Sequence, residues 1–262
     1  MSYEHILFDV SAQGVATITL NRPEVYNAIN EQIAQELQDA LKTCGKDKAI
    51  RAVVLSGGAG KAFCSGQDLK EGATQKGRSL YESIERKYNP TVRLMRNLPK
   101  PIIARVQGVA AGAGCSLALA ADLVVAADTA YFAELFINIG LVPDTGSSYF
   151  LPRLVGAARA FEICSTGRKV SASEAQQIGM IAHCVPAAEL DAFVDKLATD
   201  MASRPTAGLG LLKKLLQESF SHNLEQMLEK EALYQEAAGK TFDHAEGVQA
   251  FLEKRAPKFE GR

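Results

Sequence analysis

One carboxylate stands out by its setting. Asp144 follows a proline within Gly140–Leu151, GLVPDTGSSYFL, where the other side chains are apolar, aromatic or hydroxylic. Pro-Asp-x-Gly is common turn chemistry, and alone that is the more frequent use of such an acid. An acid flanked by Val142, Pro143 and an apolar wall has a second use. It loses solvation, its pKa rises, and it gains the basicity that a general base needs.

Two glycine-rich loops supply the other chemistry. They are Gly57–Gly72, GGAGKAFCSGQDLKEG, and Gln107–Asp122, QGVAAGAGCSLALAAD. Neither is a GxGxxG opening a helix nor a phosphate loop ending in Lys-Ser/Thr. Tight packing of strand on helix accounts for either loop taken singly. Taken together they allow more, because free N–H groups from two loops can converge on one oxygen. The first helical N–H groups near Ala113 would be among them, and an oxyanion hole has this requirement.

These residues must be positioned by regular elements. Gly14–Leu20 alternates and is β-branched, as a strand requires. Asn30 precedes a run in which Ile33, Leu37, Ala40, Leu41 and Cys44 share one face, predicting a capped helix. Ala52–Gly57, PIIARVQG and DLVVAAD read as buried strands, with a glycine-rich turn and a helix between the last two. From about Ala157 onward the pattern is helical. Ser171 and Glu174 form a predicted capping box, followed by helices over Asp191–Ala202, Thr206–Ser219, Leu224–Ala238 and His244–Lys254. An α/β core over residues 1–200 and a helical region over 201–262 are expected.

The 262 residues are 47% hydrophobic, enough for a substantial core. With 29 Lys+Arg against 30 Asp+Glu, nothing points to nucleic acid or an anionic membrane. The first residues are too polar for a secretion signal, and Leu117–Ala127, interrupted by Asp122, is too short for a membrane span. Five scattered cysteines without a CxxC pair read as reduced thiols of a cytoplasmic protein, with neither a disulfide framework nor a zinc site.

Four stretches, in order, carry a resemblance. They are LNRPEVYNAIN (Leu20–Asn30), AFCSGQDLKE (Ala62–Glu71), VQGVAAGAGCSLALAADLVVAA (Val106–Ala127) and TGRKVSASEAQQIGMIAHCVP (Thr166–Pro186). The sequence resembles the crotonase (enoyl-CoA hydratase/isomerase) superfamily over most of its length. The resemblance implies an α/β crotonase fold, a spiral of ββα units with a C-terminal helical trimerisation region. It also implies a homotrimer or a dimer of trimers. The substrate would be an acyl-CoA thioester, with coenzyme A part of the substrate and no separate cofactor or metal. By motif alignment the backbone N–H groups of Gln67 and Ala113 would hold the thioester oxygen. Ser65, Gly66, Gly112 and Gly114 would shape the hole, and Asp68, Leu69 and Lys70 would line the CoA arm.

Members differ at the side chains facing the substrate. The two positions that hold glutamate in the hydratases are Ser116 and Phe136 here, and Glu134 nearby reads as a structural surface carboxylate. Asp144 matches the acid of the isomerases and of the 4-chlorobenzoyl-CoA dehalogenases. The dehalogenase pattern, however, has tryptophan at the place of Phe136, and this chain has no tryptophan. The near end-to-end likeness is to the branch that isomerises 1,2-epoxyphenylacetyl-CoA in phenylacetate breakdown. The expectation is therefore a one-base isomerase, Asp144 being its acid/base. Alternatives are an enoyl-CoA hydratase, a dehalogenase-like hydrolase and a non-catalytic RNA-binding member, the last disfavoured by the balanced charge. The four histidines read as structural or surface residues. Asp122 is expected to end its helix and order the next strand, and Lys213, Lys214 and Lys254 to lie on a solvated face or to contact CoA.

Overall fold

A computed structural model describes residues 3–74 and 79–262. Among these residues ten strands form two sheets. The strands are β1 (Ile6–Val10), β2 (Val15–Leu20), β3 (Ala52–Ser56), β4 (Ala62–Cys64), β5 (Ile102–Val106), β6 (Val109–Ala111), β7 (Leu123–Ala127), β8 (Tyr131–Ala133), β9 (Val170–Ser171) and β10 (His183–Val185). The larger sheet runs β1-β2-β3-β5-β7-β10, and only its β1–β2 pair is antiparallel. The smaller runs β4-β6-β8-β9, with β4, β6 and β8 parallel.

The order reveals a spiral. Each of β3, β5 and β7 is followed after a short turn by a partner in the second sheet, β4, β6 and β8, and then by helical chain. One turn of the spiral thus adds one strand to each sheet. In β3 every residue is buried, the mark of a parallel strand covered on both faces.

The helix Glu31–Lys46 forms as its stripe demands. Ile33, Leu37, Ala40, Leu41 and Cys44 are buried, and the Asn30 side chain accepts a hydrogen bond from the Ile33 N–H at 2.9 Å. Leu190–Ala202 packs Leu190, Val194 and Ala198 on the large sheet. The helices Thr206–Glu218, Leu224–Gly239 and Phe242–Leu252 bury little, and many apolar side chains on and beside them, Leu212, Leu216, Phe220 and Phe251 among them, are exposed. All five cysteines are free thiols. No helix among the described residues is long and apolar enough to cross a membrane.

Several expectations need correction. Ser171 does cap its helix through the Glu174 N–H, but the Glu174 carboxylate turns away to Arg168, at 2.7 Å. The reciprocal capping box belongs instead to Asn223 and Gln226. Lys213 is not on a solvated face. Its ammonium group is buried 2.8 Å from Asp122, tying the tail helix to the core. Asp122 also accepts from the Ile102 N–H and pairs with Arg96, which is how it orders the adjoining strand.

Candidate active site

Because β4, β6 and β8 are parallel neighbours, the chain leaves all three at the same end of the small sheet. Each exit delivers part of the site. Ser65, Gly66 and Gln67 follow β4, Gly112 and Ala113 follow β6, and Glu134 follows β8.

The first two exits touch closely enough to require glycine. A Cβ on Gly114 would fall 2.3 Å from the Cys64 carbonyl oxygen, inside any tolerable contact. Gly66 has φ +93°, and a Cβ there would lie 2.8 Å from the Ala111 oxygen and 3.3 Å from the Ala113 nitrogen. The N–H groups flanking Gln67 are engaged, Gly66 to the Cys64 sulfur and Asp68 to the Ile29 carbonyl. Among the described residues the N–H groups of Gln67 and Ala113 have no partner. Ala113 opens the helix Ala113–Leu119, whose first donors are unsatisfied by construction. Gly112 donates to the Ala133 carbonyl at 2.8 Å, so the second exit is fastened to the third.

The sequence alone does not disclose the device that holds the first loop. Asn27, buried at φ 55°, reaches the carbonyl oxygens of Gly57, Ala62 and Phe63 with its side-chain amide and accepts from the Arg22 N–H. Arg22 in turn pairs with Asp68 at 3.0 Å. The other Asp68 oxygen caps the following turn at Lys70 and Glu71. The Asp68 carboxylate therefore serves the loop itself, while Leu69 and Lys70 face outward.

Asp144 precedes the helix Ser147–Val155, whose Ser147 N–H donates to its carbonyl. Burial pushes its carboxyl above the ordinary range, opposed by the Thr145 hydroxyl donating to Oδ1 at 2.7 Å. Thr145 itself is buried and left-handed, φ 54°, a costly conformation for a β-branched residue. Val142, expected to help desolvate the acid, is itself 79% exposed.

The larger correction concerns Glu134. It is fully buried, not a surface residue. Its Oε1 accepts from the Ser147 hydroxyl at 2.8 Å, and its Oε2 lies 3.5 Å from the Ser116 hydroxyl. Desolvation raises its pKa to about 7, and the charge of Asp144 adds to the rise. Ser116 and Phe136 are both buried near this acid. No motif marks Glu134. The one available signal in the sequence is an acid directly after a short apolar strand.

The spiral of paired strands, with two free N–H groups at neighbouring exits, defines the crotonase fold. Residues 11–262 match the enoyl-CoA hydratase/isomerase family. The chain is 44% identical over 262 residues to a 1,2-epoxyphenylacetyl-CoA isomerase of Escherichia coli, covering 99% of each chain. It is 43% identical to a "Probable enoyl-CoA hydratase" of Rhodobacter capsulatus, end to end. A crystal structure of an enoyl-CoA hydratase from Bacillus anthracis superposes with a TM-score of 0.95 at 33% identity, covering 99% of this chain and 100% of that one. The protein belongs to the enoyl-CoA hydratase/isomerase family.

Proposed function

We propose that the protein is an acyl-CoA thioester isomerase with a single carboxylate acid/base, acting on substrates of the 1,2-epoxyphenylacetyl-CoA type. The observation carrying this reading is Asp144, a half-buried acid of raised basicity whose charge acts on Glu134, which in turn lies against Ser116 of the helix that Ala113 opens; Ser116 and Phe136 stand at the positions of the hydratase acids. The similarity to the Escherichia coli isomerase supports it.

In this reading the thioester oxygen accepts from the N–H groups of Gln67 and Ala113. That polarises the carbonyl and acidifies the α-carbon. Asp144 takes the α-proton. The electron pair moves into the C–C bond and on to oxygen, giving an enolate held by the two N–H groups. On a 3-enoyl-CoA the enolate is conjugated with the double bond, so Asp144 returns the proton at the γ-carbon and the C=C comes to lie between the α- and β-carbons as the carbonyl re-forms. Every atom is conserved. A hydratase would have to activate water, and the further acid described beside the site, Glu134, is sealed from solvent.

The region 201–262 is proposed to assemble the protein into trimers or pairs of trimers. Exposed Leu212, Leu216 and Phe220 line an open apolar cleft of about 490 Å³ with Tyr149 and Leu154, a surface of the kind that subunits cover. Sedimentation at micromolar concentration should give a multiple of 28.1 kDa. A stable monomer would refute the assembly.

Asp144→Asn keeps the shape of the side chain but cannot take a proton. Turnover and solvent-deuterium exchange into a 3-enoyl-CoA should fall by about 10²–10⁴-fold, with acyl-CoA affinity within a few-fold. Full activity in the variant, or an ester trapped on Asp144 in the native enzyme, would overturn the acid/base role.

A further inference from the structure

We propose that Glu134 is a positioning residue of this site, clamping the Ala113–Leu119 helix to the Asp144 turn through Ser116 and Ser147, and that it does so as the neutral acid, leaving the negative charge to Asp144. This rests on the acid/base reading of Asp144 for its catalytic consequence, though not for the state of Glu134 itself.

Proton counting carries the inference. The Ser116 hydroxyl lies 3.2 Å from the Gly112 carbonyl oxygen and 3.5 Å from Glu134 Oε2. It has one proton for two acceptors. If Glu134 is ionised, that single proton must be shared between both acceptors or serve one of them, so at least one contact is weakly bonded. A proton on Oε2 removes the conflict, since Ser116 then donates to Gly112 and accepts from Glu134. Oε1 remains free to accept from Ser147 at 2.8 Å.

The surroundings agree. The groups that face Glu134 are the Cys115 thiol and Ser116 hydroxyl of the Ala113–Leu119 helix, the Ser147 hydroxyl, Cys164 from the helix Ala157–Thr166, and Asp144. Among the described residues, these groups include no cation, and the one charge among them, Asp144, is negative. An anion with no cation beside it, shut away from water, is strongly disfavoured. The same burial pushes the Glu134 carboxyl up to about 7.

The clamp has a chemical consequence. When Asp144 takes the α-proton, negative charge moves to the thioester oxygen at the Ala113 end of the helix. A neutral Glu134 behind that helix leaves the new charge unopposed, whereas an ionised one would repel it. Enolisation should therefore weaken as pH rises through about 7.

Two measurements decide the matter. Infrared difference spectra of the native protein against Glu134→Gln, without substrate, should show a protonated-carboxyl C=O band in the native protein that titrates near pH 7. No such band would overturn the proposal whatever the enzyme's activity. In the second, exchange of the α-proton of a 3-enoyl-CoA is followed against pH. The native enzyme should lose rate above about pH 7 and level off at a lower rate once Glu134 is ionised. Normalised to its own maximum, Glu134→Gln should show no such decline. Ser147→Ala, lacking a donor that favours the anion, should shift the decline to higher pH, and it keeps the test open if the glutamine variant does not fold. A decline that persists unmoved in these variants refutes the clamp. Absence of exchange in the native enzyme refutes the isomerase reading instead, and the infrared band still decides the protonation state of Glu134.

Discussion

The two sheets are built on different terms. Strands β2, β3, β5 and β7 of the large sheet have five or six residues and bury nearly all of them. Strands β4, β6, β8 and β9 of the small sheet have two or three residues, and glycines crowd the exits of β4 and β6. The first sheet gains its stability from side chains. The second, though it buries Phe63 and Phe132, has shorter strands whose exits pack backbone on backbone with almost no lateral tolerance, as the 2.3 Å approach at Gly114 illustrates. Rigidity of backbone is what a pair of aimed N–H groups requires, so the site sits on the sheet that contributes less to the core.

Substitutions can test this division. The larger effect on turnover is expected from Ala113→Pro. Proline is tolerated at the first helical position, where its missing N–H is one that the helix itself leaves without a partner. The variant should fold yet lose about 10²-fold in turnover or more, because one N–H is gone. Unchanged turnover in a folded protein would mean that the charge develops elsewhere. The smaller effect on turnover, near zero, is expected from Leu55→Ala in β3, where the side chain is almost wholly buried. It should cost about 2–5 kcal/mol of stability by denaturant titration, while each folded molecule keeps native kinetics. A large kinetic defect from Leu55→Ala would break the comparison.

The same division explains what can be read from sequence. The stripe Ile33, Leu37, Ala40, Leu41, Cys44 and the apolar runs of β3, β5 and β7 announce themselves because burial selects their side chains. Strand β1 escapes notice, since ILFDV on the sheet edge exposes most of its residues. Strands β4, β6 and β8 are too short for any periodicity, and their glycines resemble loop. Asp144 is visible through its proline and its motif. Glu134 is not, because its burial comes from Ser116, Ser147 and Cys115, brought together only by the spiral. The Lys213–Asp122 pair is hidden for the same reason, each partner looking like an ordinary charge in its own segment.

The three exits differ in what they contribute, and this bears on how such a protein can change over time. The first two present main-chain N–H groups, which almost any residue carries, and are constrained only in shape. The third presents side chains, Glu134 and soon after it Asp144, which are set by single codons. On the proposed reading, a descendant could thus exchange one reaction for another by altering the third turn alone, while the first two turns go on holding the same kind of oxygen. If that reading holds, the spiral separates the part that would recognise a thioester from the part that would decide its fate.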